Sequence, residues 1–174
     1  MTKEQIKQAI HDSSKSFHLE RSLKPEATYK ILYYRFDEIK GPRGFFPGNK
    51  CKVDILVPGI MHLPALSPTH IQKLGGLPLL PFSVLMLQKL QAWDDHRNLR
   101  WTEPKKYAKS AMDARDLQHL LTLTDHVAPL RVSKPWRDLV LFSEEFQNLS
   151  FRRARDFCSL FPECKHDFEL LGLH

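Results

Sequence analysis

A chain of 174 residues, 42% of them apolar, is long enough for one domain with a real core and too short for two ordinary ones. Its 26 Lys and Arg against 20 Asp and Glu give a formal charge of +6, a bias toward anionic partners such as nucleotide, nucleic acid or an acidic protein. The polar opening, Met1 to Gln8, has no signal-type apolar stretch, and the longest greasy run, Leu77 to Leu87, is broken by Pro78 and Pro81 and is shorter than the roughly 20 residues that span a bilayer. An intracellular protein, cytoplasmic or nuclear, with no membrane partner is therefore expected.

In chain order, Thr2 followed three residues later by Gln5 has the form of a capping box, and Ile6, Ala9 and Ile10 recur at helical spacing, which predicts a helix over 3–12. Phe17 to Glu20 reads as a short strand and 21–27 as a turn. Residues 28–36 read as a strand with Tyr29, Ile31 and Tyr33 on one side and Leu32, Tyr34 and Phe36 on the other. Both sides can be buried, so this strand is expected to be central. A Gly- and Pro-rich loop, 37–50, returns the chain as the antiparallel neighbour 51–57.

In that last strand Cys51, Val53, Ile55 and Val57 are predicted to face a core, while Lys52, Asp54 and Leu56 point away. Residues 62–70, with Pro64 and Pro68, read as irregular chain. From Pro81 onward the pattern is helical: a first helix to Arg97, a polar and basic connector over 98–109, and a helix from Asp113 to Thr122. Ser133 is the expected cap of the next helix, with Trp136, Leu139, Val140 and Phe146 as its buried side. A further helix is expected over 151–160, an interruption at Pro162, and a last helix running to Leu171. The fold class expected is α+β: a small mixed β-sheet part over 1–76 and a helical part over 77–174.

Cys51, Cys158 and Cys164 are odd in number, and Cys164 with His166 lacks two further partners for zinc, so reduced thiols are expected. The nine His form no Ser/His/Asp or Cys/His pattern.

The strand Lys52-Val53-Asp54-Ile55-Leu56, the block from Gly75-Gly76 through a helix bearing Lys89 to Arg97, and the element Asp113-Ala114-Arg115-Asp116, taken in that order, resemble the second half of a nucleotidyltransferase-like domain. The likeness is to the abortive-infection toxin type and to uncharacterised fungal relatives, and it covers about residues 2–122. It implies Mg²⁺ held by three carboxylates, a pair on one strand and a third on its neighbour. Asp54 resembles the third, catalytic and metal-binding. Lys52 and Lys89 are implied to bind nucleotide, and the Asp113 element to cap its helix and pair with Arg97.

The Asp-x-Asp pair is not found upstream of Asp54, and a segment like 2–8 follows that pair in the relatives, so a truncated or naturally reduced member is expected. One carboxylate cannot organise two Mg²⁺ ions. Three functions follow as expectations: an impaired nucleotidyltransferase-like module retaining nucleotide or RNA binding; an interaction module assembling through an exposed sheet edge; or a transferase completed by a partner's carboxylates. Lys105, Lys106 and Lys109 around Tyr107, and Arg152 and Arg153 after Phe151, are candidate nucleic-acid contacts. The edge implied by the missing strands is expected to be covered by a second copy, giving a homodimer, or by the helix 3–12.

Overall fold

The computed structural model describes residues 1–36 and 49–174, so most of the expected 37–50 loop, Asp37 and Glu38 included, lies outside the described residues. The protein is α+β with a helical C-terminal half, and its contacts divide it into two compact units, Met1–Ile60 and Met61–His174.

The first unit opens with α1, Lys3–Ser13. The capping box is formed: the Gln5 amide N–H donates to the Thr2 hydroxyl at 3.3 Å, and the Thr2 N–H donates to Gln5 Oε1 at 2.7 Å. Such a cap is worth about 1 kcal/mol. Strands β1 (Phe17–Arg21), β2 (Lys30–Arg35) and β3 (Lys50–Val53) then pair in the order β1-β2-β3, with β2 central as its two apolar sides predict. Both pairings are antiparallel, which replaces the expected mixed sheet. The physical reason is that β2 returns directly beside β1 and β3 beside β2, whereas a parallel neighbour needs a crossover connection.

The register puts Phe17, Leu19, Leu32, Tyr34, Cys51 and Val53 on one face, where Leu32 is fully buried and the Phe17 and Tyr34 rings meet edge-on at 5.1 Å. The opposite face carries Glu20, Ile31, Tyr33, Lys50 and Lys52. Helix α1 lies against β1 and β2, with Lys7 Nζ donating to the Lys30 carbonyl at 2.6 Å, so the helix covers these strands. Both edge strands are short and β3 bears Lys50 and Lys52, features that discourage edge-to-edge pairing.

The second unit begins with irregular chain and then a hairpin the sequence reading lacked: β4, Gln72–Leu74, and β5, Leu77–Leu79, joined by Gly75-Gly76. Both glycines have positive φ, +57° and +82°, the pairing a two-residue type I′ turn demands. Leu74 and Leu77 close this ladder, so the next pair, Lys73 and Pro78, is of the non-hydrogen-bonded kind. Pro78 is tolerated because the N–H it lacks would have pointed away from β4.

Helices α2 (Phe82–Arg97), α3 (Pro104–Tyr107), α4 (Ser110–Thr122), α5 (Thr124–Ser133), α6 (Glu144–Leu160) and α7 (Lys165–Leu171) follow. Helix α2 packs on α4 and α6 around a core that includes Leu87, Leu90, Leu117, Trp136, Phe142, Phe146, Phe157 and Phe168. Each such side chain contributes about 1.5–3 kcal/mol on burial. Trp93 meets Phe157 edge-on at 4.9 Å.

Three local expectations are corrected here. Ser133 ends α5 and is no cap; the cap is Ser143, whose hydroxyl accepts from the Phe146 N–H at 3.3 Å, so α6 is one continuous helix rather than a start at 151. Leu139 and Val140 are 69% and 80% exposed, because they sit in the turn before that cap and the buried side is supplied by Trp136, Phe142 and Phe146 instead. Asp113 does not start α4, which begins at Ser110. The interruption at Pro162 falls where expected, just past the end of α6 at Leu160.

All three cysteines are unpaired, Cys158 and Cys164 being buried and Cys51 partly exposed. Burial pushes the Cys158 thiol up to about 11 and raises Cys164 as well, which keeps both protonated and unreactive near neutrality. Alkylation of the folded protein at pH 8 is expected to modify Cys51 first, with Cys158 and Cys164 reacting only after denaturant is added. Mass mapping of the labelled peptides checks this, and equal labelling of all three in the native state would contradict the packing described.

Candidate functional site

Asp54 sits one residue beyond β3, and the alternation that defined it persists past the end of the ladder: residues 51, 53, 55 and 57 are partly buried while Lys52, Asp54 and Leu56 are exposed. Period two therefore puts Lys52 and Asp54 on the same face, and the Lys52 ammonium lies 2.7 Å from the Asp54 carboxylate. These two of the expected site residues are brought together. They stand at the rim of a groove of about 920 Å³ whose walls come from α1, the Arg21–Tyr29 turn and the Tyr33 face of the sheet.

The groove has a definite charge order. Seven cationic residues line it, Lys3, Lys7, Arg21, Lys24, Lys30, Lys50 and Lys52, with Arg21 and Lys30 at the strand ends on the Leu32 side, against three acidic ones. Each carboxylate is matched by a lysine: Glu4 to Lys7, Glu20 to Lys50 and Asp54 to Lys52, all at 2.7 Å. Lys3, Arg21, Lys24 and Lys30 remain exposed with no carboxylate partner among the described residues. The surplus is positive and solvent-facing.

Two tyrosines lie within this field. Lys50, bridging from β3 to Glu20 on β1, passes over the Tyr33 ring at 4.5 Å, and Lys7 stands 5.6 Å from the Tyr29 ring centre. A hydrogen bond with Ser22 holds the Tyr29 phenol below the usual tyrosine value, against the opposing effect of burial and helped by the charges of Lys24, Lys52 and Lys7.

The Mg²⁺ implied by the sequence resemblance does not fit the described residues. Asp54 is exposed and already bears an ammonium, the other two groove carboxylates are likewise paired, and among the described residues no group of three or more His, Cys, Asp or Glu side chains is placed to hold a metal ion. The donor set that two-metal chemistry requires is not assembled from these residues.

Lys89 belongs to the second unit, on α2, where its ammonium lies 2.6 Å from Asp116 and 3.4 Å from Asp113 of α4. The Asp116 hydrogen bond raises its pKa above the usual lysine value; burial opposes this, and the charges of Asp116 and Asp113 add to it. Asp113 also receives His96 Nδ1 at 2.7 Å. Lys89 thus ties α2 to α4, and its charge is neutralised where it stands. The expected Asp113 to Arg97 pairing is not formed: Arg97 donates to Asp94 at 2.9 Å and to Asp156, and lies over the Trp93 ring at 4.4 Å.

The remaining candidates separate into two kinds. Lys105, Lys106, Lys109 and Arg152 are exposed, with Lys106 paired to Glu103 at 2.6 Å. Arg153 is 5% exposed, with Nε donating to the buried Asp94 at 3.0 Å, and so belongs to the interior rather than to a surface patch. A signal for this was present in the sequence: Phe146, Ser150, Arg153 and Phe157 fall on one helical stripe, as do Leu87, Leu90 and Asp94 on α2, so each apolar face carries one charge of opposite sign. The groove's Tyr29, Tyr33, Lys7, Lys24, Lys30, Lys50 and Arg21 were also missed as site residues. Strand parity already grouped Tyr29 with Tyr33, but only the register brings β3's lysines alongside them.

No family model, curated protein or solved structure matches this chain. Among the described residues no helix is long and apolar enough to cross a membrane.

Proposed function

We propose that this chain is a nucleotidyltransferase-like module that binds the phosphates of a nucleotide in the groove beside Asp54 and does not by itself transfer the nucleotide. The observation that carries the reading is the surplus of cations in that groove after every lining carboxylate has been matched. Lysine ammoniums are point charges that suit a flexible polyphosphate, and Arg21 adds a planar fork for two phosphate oxygens. Tyr29 and Tyr33 offer ring faces beside those charges, to which a base can be held. Three unpaired thiols accord with action in a reducing compartment, the cytoplasm or nucleus.

In this reading Asp54 sets the position of Lys52 and is not a metal ligand, since it is paired with that lysine and among the described residues no group of three or more His, Cys, Asp or Glu side chains is placed to hold a metal ion. Incubation with labelled nucleoside triphosphates, Mg²⁺ or Mn²⁺ and protein or RNA acceptors should give no incorporation, while the same triphosphates bind at low salt. Incorporation by the purified chain that disappears in Asp54→Ala overturns the first half. Activity that appears only on adding a second protein identifies a partner that supplies the carboxylates.

A further inference from the structure

We infer that the connector between α2 and α4 is a separate binding site for single-stranded nucleic acid, with Trp101 as the base-stacking platform and Lys105 and Lys109 as the phosphate contacts. Trp101 is 86% exposed, an unusual state for the largest apolar side chain. Arg100 places its guanidinium 5.0 Å from the Trp101 ring centre and 5.9 Å from that of Tyr107, which is itself 37% exposed. Two rings and a planar cation are thus held side by side at the surface.

The segment is not slack chain. The N–H groups of Thr102 and Glu103 donate to the Leu99 carbonyl at 3.2 and 2.9 Å, and that of Tyr107 to the Glu103 carbonyl at 3.0 Å, so the rings are carried on a hydrogen-bonded backbone. Four cations, Arg100, Lys105, Lys106 and Lys109, accompany one carboxylate, Glu103, and that carboxylate is engaged by Lys106 at 2.6 Å. Lys105 and Lys109 have no carboxylate partner among the described residues.

Every base has a stackable face and every nucleotide a phosphate, so an open indole on the same short connector as two lysines without a carboxylate partner among the described residues selects a single strand over a duplex, whose bases are already stacked, and over a simple polyanion, which has no ring. A protein partner would instead call for an apolar surround, and the contact made by the Trp101 ring is with the Arg100 guanidinium.

The sequence has three tryptophans, and Trp93 and Trp136 are buried, so stacking reports through Trp101 alone. Titration with a short oligouridylate should quench the intrinsic fluorescence saturably, while inorganic polyphosphate of equal charge should bind more weakly and leave emission unchanged. Trp101→Ala is expected to weaken oligouridylate binding about tenfold, a loss Trp101→Phe largely restores. Replacing Lys105 and Lys109 by Ala should lower the salt slope by about 0.7 for each lysine. Wild-type affinity in Trp101→Ala overturns the proposal, and so does binding that polyphosphate reproduces in strength and salt dependence. All of these side chains are exposed, so the variants leave the fold intact.

Discussion

Asp94→Ala is expected to destabilise the protein by about 3–5 kcal/mol, the largest effect of any single substitution considered. The carboxylate is 4% exposed on α2 and receives Arg153 Nε at 3.0 Å from α6, Arg97 Nε at 2.9 Å and Asn98 Nδ2 at 3.3 Å. Removing it leaves the buried Arg153 guanidinium with only the half-exposed Asp95 carboxylate, 3.7 Å from Nη2, as a counter-charge, and Arg153 Nη1 already lacks a hydrogen-bond partner. Breaking one side of a buried pair strands a charge in low dielectric, whereas replacing both sides together removes the desolvation cost as well. The double variant Asp94→Leu, Arg153→Met should therefore recover most of the loss. Urea denaturation of the three proteins measures this, and a change under about 0.5 kcal/mol for Asp94→Ala would show the pair to be solvated.

The same pair sets an acid limit. Burial alone would raise the Asp94 carboxyl, but the hydrogen bonds and charges of Arg97 and Arg153 outweigh it and hold the group below the usual carboxylate value. A depressed folded pKa contributes stability that is present above the unfolded value of about 3.9 and is lost as pH falls through the folded one. The wild type should lose this contribution only below about pH 4, and Asp94→Ala should show a correspondingly shallower acid limb.

How far the sequence anticipated this can be seen residue by residue. Strand period two was enough to place Lys52 and Asp54 together and to make β2 central, because those inferences need only alternation. The Thr2 to Gln5 cap was legible because it is local. The β4–β5 hairpin was overlooked although Gly75-Gly76 is a two-residue turn signal, since its three-residue arms contain Pro78 and sit against a strong helix pattern. Adjacent basic residues suggest a surface patch that includes Arg153, while its helical phase assigns it to the Phe146 and Phe157 stripe. The groove itself was beyond local reading: its cations come from α1, the 21–30 segment and β3, and only the pairing register assembles them.

Reversing two of the unmatched groove cations, Arg21→Glu with Lys24→Glu, is expected to weaken nucleoside triphosphate binding at least about tenfold at low salt. Each unit-charge pair at about 6 Å contributes about 0.7 kcal/mol even in water, and the double reversal changes four charges facing several phosphate charges. Screening shrinks the difference as salt rises, so the gap between wild type and variant should narrow near physiological ionic strength. Both side chains are exposed and have no carboxylate partner among the described residues, which leaves stability unchanged, and Lys15→Glu, exposed in the same unit but outside the groove, is the matched control. Equal losses in the control and the double variant would mean that net charge, and not this groove, attracts the ligand.

The central claim is tested most directly by titrating the isotopically labelled protein with a nucleoside triphosphate at low salt and following its amide resonances by NMR. The account predicts saturable shifts concentrated at Lys7, Arg21, Tyr29, Tyr33 and Lys52, saturating only at about tenfold or more higher ligand concentration in the Arg21→Glu, Lys24→Glu protein. No saturable shift in these residues, or shifts confined to the helical unit, would contradict it.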